Sequence, residues 1–170
     1  MCHKRCHEYF SLNGVLKNVV FMIILLSSSF LVVVSNARKL AENDQVGRLL
    51  AFKKSSVESD PNGFLNEWTL SSSSPCTWNG ISCSNGQVVE LNLSSVGLSG
   101  LLHLTDLMAL PTLLRVNFSG NHFYGNLSSI ASSCSFEFLD LSANKFSEVL
   151  VLEPLLKSCD KIKYLNVSGN

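Results

Sequence analysis

A spaced pattern of apolar residues recurs through the second half of this chain of 170 residues. Aligned on Leu-x-x-Leu-x-Leu-x-x-Asn-x-Leu, the copies are VVELNLSSVGL, LLRVNFSGNHF, FEFLDLSANKF and IKYLNVSGN. They start at residues 88, 113, 136 and 162, which are 25, 23 and 26 residues apart. A repeat of this kind indicates one supersecondary unit per copy, and each unit buries its apolar side only by stacking on a neighbour.

Each copy predicts one short β-strand. Leu91 and Leu93, like the equivalent pairs in the later copies, alternate with polar residues, so one side of the strand is buried and the other is solvated. The period lies within the roughly 20–29 residues of a leucine-rich repeat. We therefore predict an α/β leucine-rich-repeat solenoid with short parallel strands and an irregular or helical convex side.

A recurrent asparagine follows three of the four strands, at Asn121, Asn144 and Asn170. Its side-chain amide can satisfy backbone groups that a turn leaves unpaired. Val96 occupies this position in the first copy, which predicts a less regular first turn.

A different module precedes the repeats. The segment NDQVGRLLAFKKSSV, residues 43–57, has apolar residues at helical spacing, and Asn43 or Asp44 can cap its start. Trp68 and Trp78 then flank a serine run and are expected in a small core rather than around a ligand. Because a solenoid needs a terminal cap, we predict a helical, disulfide-bonded cap over residues 38–86 and about four repeats over residues 87–170, the last one truncated.

The first 37 residues are predicted to be a signal peptide. Basic residues precede an apolar run at residues 19–34, and small residues before position 38 provide a cleavage site after Ala37. The alternative is a retained membrane anchor, but the run is shorter than the ~18–20 apolar residues of a typical span. The zinc-like sequence CHKRCH, residues 2–7, would be removed with this segment. We therefore expect no metal site in the mature protein.

The four remaining cysteines predict disulfides, because an even number in a secreted chain is typical of oxidised pairs. Cys76 and Cys83 enclose six residues around a tryptophan and are assigned to each other. Cys134 and Cys159 then remain, 25 residues apart, in the loops that enter two successive strands. Strands about 4.8 Å apart suit the roughly 4.4–6.8 Å between the Cα atoms of a disulfide, which predicts a bond between neighbouring rungs.

Charge and motifs argue against several functions. Thirteen basic residues balance thirteen acidic ones, so no positive field favours nucleic acid. The chain contains no glycine-rich phosphate loop and none of the kinase motifs. His103 and His122, the histidines outside the signal peptide, lie in no nucleophile motif. We expect neither catalysis nor a cofactor.

The outward strand positions are candidate binding residues because they would line the concave face of the solenoid. Aromatic residues among mixed charges suit an extracellular protein, peptide or co-receptor. We favour the alternative, in which these early rungs only support other repeats. The candidates are Glu90, Arg115, Glu137, Phe138, Asp140, Lys163 and Tyr164.

Four Asn-x-Ser sequences are candidate glycosylation sites in a secreted chain, at Asn92, Asn117, Asn126 and Asn166. Three of them arise from the repeat pattern itself and lie on outward strand positions, where a sugar could obstruct binding. Asn126 lies in a loop and is the preferred candidate.

The cap segments LLAFKKSS, FLNEWTL and CTWNGISC, followed by Val-x-x-Leu-x-Leu repeats, resemble the N-terminal region of plant leucine-rich-repeat receptor-like kinases. The likeness is closer to the brassinosteroid receptor group, whose irregular early repeats carry a Ser-Cys-Ser and Ser-Cys pair, matching residues 133–135 and 158–159. It covers most of residues 49–170. Of the usual continuation Leu-x-Gly-x-Ile-Pro, this chain keeps only Gly100 and Gly125.

This resemblance implies a cell-surface receptor in which the chain recognises an extracellular partner. In the family, the steroid hormone binds against an island domain many repeats later, and a membrane helix and a kinase follow, so a steroid is expected only for the full-length member. The alternative is a free-standing secreted repeat protein, acting as a decoy, a co-receptor-like partner or a wall-enzyme inhibitor. Either role places the chain in the secretory pathway. We also expect the last rung, which stops at Asn170, to fray or to associate when this chain is expressed alone.

Overall fold

The computed structural model describes residue 33 and residues 44–72, 74–126, 134–146 and 152–170. The chain divides into two compact units, Met1–Ala41 and Glu42–Asn170. Apart from Val33, every described residue belongs to the second unit, so the CHKRCH sequence and the rest of the predicted signal peptide lie outside the described part. Among the described residues, no helix combines the length and the apolar character needed to cross a bilayer.

Within the described residues, seven short strands form two sheets. In chain order they are β1 Ile81–Ser84, β2 Gln87–Asn92, β3 Ser99–Leu101, β4 Arg115–Asn117, β5 His122–Tyr124, β6 Phe138–Asp140 and β7 Tyr164–Asn166. The larger sheet has the order β1-β2-β4-β6-β7, with β1 antiparallel to β2 and every later pair parallel. One strand per repeat therefore stacks on the strand of the repeat before it. The predicted leucine-rich-repeat solenoid is confirmed.

The cap combines helices with the β1–β2 hairpin. Helix α1 spans residues 44–56, and a 3₁₀ turn spans Pro75–Thr77. Helix α1 buries Val46, Leu49 and Phe52 on one face, as the helical spacing predicts. Gln45 is also buried, and its Oε1 accepts a hydrogen bond of 2.7 Å from the backbone N–H of Val88, at the start of the first repeat. Two short helices, α2 Thr105–Met108 and α3 Glu153–Ser158, lie between the later strands.

Aromatic contacts join the cap to the repeats. The rings of Phe52, from the cap, and Phe118, from the second repeat, stack with centroids 5.4 Å apart. Trp68 and Trp78 are both buried, and their rings stack 5.3 Å apart within the cap. Burying several aromatic side chains is worth a few kcal/mol each at about 25 cal/mol per Å². The cap therefore shields the first rung by continuing the same hydrophobic core.

The repeat asparagines connect consecutive turns. Asn144 is buried; its Nδ2 donates to the carbonyl oxygens of Phe118, in the preceding rung, and Leu141, in its own rung, at 2.9 and 3.1 Å. Asn121 makes the equivalent pair of bonds, to Leu93 and Phe118. These amides satisfy turn carbonyls that would otherwise be buried without partners.

The first turn, which lacks the asparagine, shares only part of its backbone conformation with the later turns. The residue before the asparagine position has positive φ in all four copies, at Ser95, Gly120, Ala143 and Gly169. Val96 offers no amide, and Asn62 of the cap donates from its Nδ2 to the Val96 carbonyl oxygen at 2.9 Å instead. Gly97, which follows Val96, also has positive φ, at 82°, whereas the equivalent His122 and Lys145 do not. The first turn is therefore less regular than the later ones in both its hydrogen-bond partners and its backbone.

A second, smaller sheet pairs β3 with β5 in parallel. Ser59 of the cap bridges to Ser99 at the start of β3. Gly100 is required here, because a Cβ at this position would overlap the carbonyl oxygen of Ser56. Its φ of 152° also lies in the region that favours glycine. This sheet therefore attaches the cap to the side of the solenoid.

Candidate functional site

The strand register of the larger sheet sets the outward side chains in columns. Glu90 is paired with Arg115, Arg115 with Phe138, and Phe138 with Tyr164. Two positions further along each strand, a second column contains Asn92, Asn117, Asp140 and Asn166. The candidate residues, separated by 23 to 26 positions in sequence, therefore form one surface, which we call the concave face.

The first column is a continuous stack of planar groups. The guanidinium carbon of Arg115 lies 4.4 Å from the centre of the Phe138 ring. On the other face of that ring, the Tyr164 ring stacks at a centroid distance of 4.4 Å and an angle of 4°. Arg115 Nε lies 3.5 Å from a Glu90 carboxylate oxygen. The pitch of the stack follows the spacing of neighbouring strands, about 4.8 Å.

A second ion pair lies beside this stack. Lys163 Nζ and a Glu137 carboxylate oxygen are 2.9 Å apart; the Lys163 side chain is largely exposed and the Glu137 side chain is 40% exposed. Exposed ion pairs contribute about 0–1 kcal/mol to stability, so this pair fixes the charge pattern more than the fold. Each positive charge of the concave face thus has a negative neighbour one rung away.

The second column makes one local motif four times. In the first repeat, Asn92 Oδ1 accepts hydrogen bonds from the backbone N–H and the hydroxyl of Ser94, at 3.2 and 2.9 Å. The motif recurs at Asn117 with Ser119, Asp140 with Ser142, and Asn166 with Ser168. Such side-chain acceptors support the backbone where a strand leads into a turn.

Asp140 differs from the sequence-based expectation of an exposed binding residue. Only 9% of it is accessible, since Ser142 occupies its Oδ1 and Asn166 Nδ2 donates to its Oδ2 at 3.3 Å. Asp140 therefore acts within the sheet rather than as a group offered to a partner.

The exposed part of the concave face has the composition of a recognition surface. Tyr164 is 44% accessible and Leu114, beside Arg115, is 37% accessible. Tyrosine and arginine are enriched at the energetic centres of protein interfaces. Here the Phe138 ring holds both in place, so little side-chain entropy is lost when they contact a partner.

Metal-ligand geometry and the two histidines were the remaining candidates for chemistry in the described part of the chain. Among the described residues, no group of three His, Cys, Asp or Glu side chains is placed to hold a metal ion. His122 is exposed on β5 and His103 follows β3, both in the smaller sheet region rather than on the concave face.

The four described cysteines form two disulfides, with the pairing that the sequence predicts. Cys76 and Cys83 join the 3₁₀ turn to β1, with Cα atoms 5.6 Å apart. Cys134 and Cys159 join the entries to β6 and β7, with Cα atoms 4.9 Å apart. The backbone N–H of Cys134 also donates to the Ser158 carbonyl oxygen at 2.9 Å. The second bond therefore holds two rungs together beside the concave face.

Sequence reasoning missed one polar contact that connects the cap to the smaller sheet. The Tyr124 hydroxyl donates to a Glu58 carboxylate oxygen at 2.8 Å across 66 residues of sequence. This hydrogen bond is the main reason that the pKa of Tyr124 is raised, with partial burial and repulsion by the Glu58 charge adding to it. No local pattern marks either residue, so only the folded chain reveals the pair.

Comparisons with known proteins agree with this architecture. Residues 42–84 match the family described as leucine rich repeat N-terminal domain. The chain is 40% identical over 154 residues to the receptor-like protein kinase BRI1-like 3 of Arabidopsis thaliana, covering 88% of this chain and 13% of that protein. It is also 40% identical over 156 residues to the brassinosteroid LRR receptor kinase BRL3 of Oryza sativa subsp. japonica, covering 87% of this chain and 13% of that protein.

Among solved structures, the chain is similar to the Arabidopsis receptor kinase HAESA in complex with the peptide hormone IDA and the co-receptor SERK1. The TM-score is 0.66 at 30% identity, and the match covers 75% of this chain and 22% of that one. A pollen receptor kinase 3 structure matches with a TM-score of 0.57 at 26% identity, covering 72% of this chain and 70% of that one. By its cap, its repeats and these relatives, the chain belongs to the leucine-rich-repeat ectodomains of plant receptor-like kinases of the brassinosteroid-receptor group.

Proposed function

We propose that this chain is the N-terminal extracellular segment of a receptor-like kinase, where it caps the solenoid and recognises a partner without catalysis of its own. The observation that carries the proposal is the 40% identity to BRI1-like 3 over 88% of the chain. The chain spans 13% of that relative's length. The proposal therefore assigns steroid binding and kinase chemistry to segments outside these 170 residues.

The proposal also fixes domain boundaries and location. Residues 1–37 form a cleaved signal peptide, residues 38–86 the cap and residues 87–170 the repeats. The chain enters the secretory pathway and acts on the extracellular side of the plasma membrane. Support comes from the match of residues 42–84 to a leucine rich repeat N-terminal domain and from the receptor kinases among its relatives.

The partner in this proposal is an extracellular protein, peptide or co-receptor that docks on the concave face. HAESA, which has a related fold, is solved with a peptide hormone and a co-receptor. In this chain the stacked Arg115, Phe138 and Tyr164 side chains supply preorganised contact area. A small-molecule ligand is less suitable for a face whose planar groups already stack on one another.

The first test is a chimera in which the matched segment of BRI1-like 3 is replaced by this chain. We expect the chimera to reach the plasma membrane of plant cells. A Leu139→Asp version, which places a charge in the core of the third rung, is the control for retention of misfolded protein. Retention of the chimera inside the cell, at the level of the control, would refute the proposed role.

The second test assigns the recognition surface. The probe is the SERK1 ectodomain, and the variants are Tyr164→Ala on the concave face and Leu156→Ala on α3, both exposed residues. We expect Tyr164→Ala to weaken binding about tenfold, the effect of losing about 1.4 kcal/mol at a central contact. The Leu156→Ala variant should bind like the unmodified chain. Equal loss in both variants would contradict recognition through the concave face.

A further inference from the structure

Three of the four Asn-x-Ser sequences lie in one column of the concave face. Asn92, Asn117 and Asn166 are in register with Asp140 of the third rung. In all four rungs the side-chain Oδ1 accepts from the serine two residues later. An aspartate makes the same contacts, so the column requires an acceptor oxygen and does not require the amide nitrogen. The local geometry is shared, and only the neighbouring rungs distinguish one asparagine from another.

Asn117 is enclosed on both sides. Asn92 lies beside it on β2 and Asp140 lies beside it on β6. Neighbouring strands are about 4.8 Å apart, and a sugar ring with its acetamido group is wider than that spacing. Asn117 is only partly exposed. A glycan on its Nδ2 would have to displace a neighbouring side chain.

Asn92 has a different neighbour on the side of the cap. Its backbone N–H donates to the Gly80 carbonyl oxygen at 2.7 Å, immediately before the pairing of Ile81 with Leu91. Asn92 is also exposed, whereas Asn117 and Asn166 are partly buried and Asp140 is buried. Space for a sugar therefore exists at the junction of cap and repeats.

The glycosylation sequences at Asn166 and Asn126 cannot be compared with those at Asn92 and Asn117 in this way. Asn166 already donates from its Nδ2 to Asp140. Asn126 is exposed at the end of a described segment, and the two residues that complete its sequence lie outside the described part. The structural contrast is therefore between Asn92 and Asn117, which share the same motif and differ in their neighbours.

We propose that Asn92 carries an N-linked glycan in the folded, secreted protein and that Asn117 does not. The donor is a lipid-pyrophosphate-linked oligosaccharide, used by the oligosaccharyltransferase of the secretory pathway. Asn92 Nδ2 forms a bond to the anomeric carbon of the first N-acetylglucosamine and loses one proton, while the bond from that carbon to the pyrophosphate oxygen breaks and the lipid pyrophosphate leaves. Chains with a sugar on Asn117 fold less well, and a penalty of this kind lowers secreted abundance several-fold.

The glycan would border the recognition surface without covering it. Asn92 lies in the first rung, whereas the stacked Arg115, Phe138 and Tyr164 lie in the second to fourth rungs. A sugar there would exclude a partner from the cap side and leave the stack open. This inference rests on the proposed extracellular function, because glycan transfer requires the secretory pathway.

The test compares three serine variants of the full chain, secreted from plant cells with its own N-terminal segment. Ser94→Ala, Ser119→Ala and Ser142→Ala each remove the same hydroxyl-to-Oδ1 hydrogen bond. Ser94→Ala also destroys the glycosylation sequence at Asn92, Ser119→Ala destroys that at Asn117, and Ser142→Ala destroys none. The readouts are gel mobility and peptide mass spectrometry after glycosidase treatment in ¹⁸O water.

We expect the Ser94→Ala variant to lose one glycan, and the Ser119→Ala and Ser142→Ala variants to keep the unmodified pattern. In the unmodified chain, ¹⁸O label at residue 92 should exceed that at residue 117 several-fold. Label at residue 117 equal to or above that at residue 92, or label at Asn126 with none at Asn92, would overturn the site assignment and leave the extracellular role intact. A secreted chain with no glycan at any of the four sequences would likewise overturn the site assignment alone, and an unglycosylated chain that stays in the cytosol would overturn both.

Discussion

The rings of Phe138 and Tyr164 lie parallel on neighbouring strands, with centroids 4.4 Å apart and planes inclined by 4°. The guanidinium of Arg115 covers the opposite face of the Phe138 ring. Phe138 therefore lies between a cation and a second ring, each contributed by an adjacent repeat. The concave face is ordered by contacts between rungs, which has consequences for stability as well as for recognition.

The stack predicts energetic coupling between the two aromatic residues. In a double-mutant cycle of Phe138→Ala and Tyr164→Ala, we expect an interaction free energy of about 0.5–1.5 kcal/mol, the range for aromatic pairs. Urea unfolding of the four proteins measures it. The control cycle pairs Phe138→Ala with Tyr124→Ala, because Tyr124 lies in the smaller sheet, and it should give coupling near zero. An interaction free energy of the same size in both cycles would mean that ring stacking does not couple Phe138 to Tyr164 specifically.

The buried repeat asparagine predicts a large loss on truncation. Asn144→Ala removes the hydrogen bonds to the Phe118 and Leu141 carbonyl oxygens and the acceptor for the Phe123 N–H. We expect the free energy of unfolding to fall by about 2–4 kcal/mol, because buried polar groups lose their partners. Asn62→Ala is the matched control, since this exposed cap residue makes one such bond and should cost less than about 1 kcal/mol. Similar losses for the two variants would argue against a special role of the buried asparagines.

The two disulfides should differ in their contributions because they close loops of different length. Cys134–Cys159 spans 25 residues and Cys76–Cys83 spans 7. From chain entropy, we expect replacement of Cys134 and Cys159 by alanine to lower the free energy of unfolding by about 3.5 kcal/mol. Replacement of Cys76 and Cys83 by alanine should lower it by about 2.4 kcal/mol. Thermal or urea unfolding of the two variants shows which disulfide contributes more to stability. Two free thiols per chain in the denatured secreted protein, from which residues 1–37 have been removed, would show that one pair does not form in solution.

The contact between Tyr124 and Glu58 predicts an alkaline pH dependence. Hydrogen bonding to Glu58, then burial and repulsion by its charge, raise the pKa of Tyr124 above its ordinary value of 10.0. Because the folded-state pKa is the higher one, the contribution to stability is fully present below pH 10.0 and is lost as the pH rises through the raised folded-state pKa. The group is exposed, so the effect on stability is small.

The titration itself provides the measurement for Tyr124. The Tyr164→Phe substitution removes the titration of Tyr164, so that the absorbance of tyrosinate reports on Tyr124. In this background, Glu58→Ala should lower the pKa of Tyr124. Glu67→Ala, which removes another exposed cap carboxylate, should leave the titration unchanged. A Tyr124 titration that does not respond to the loss of Glu58 would contradict the assigned cause.

The resemblance to the brassinosteroid receptor group could be recognised from sequence, and the matches to BRI1-like 3 and BRL3 confirm it. The cap segments and the four spaced repeats carry that signal because they are contiguous patterns. The contact between Glu58 and Tyr124, 66 residues apart, left no such pattern. It depends on how the cap is placed against the smaller sheet.

What the sequence determined by itself was the solenoid, because a period of 23 to 26 residues with alternating apolar positions can bury its leucines in only one kind of stack. It also identified which side chains point outward. Only the tertiary structure decided what those side chains do: Asp140 is covered, Phe138 lies between Arg115 and Tyr164, and Asn92 is exposed whereas Asn117 has a side chain on either side. The physical reason is that these outcomes depend on the residue in register on the next strand, and that register exists only when the rungs are stacked.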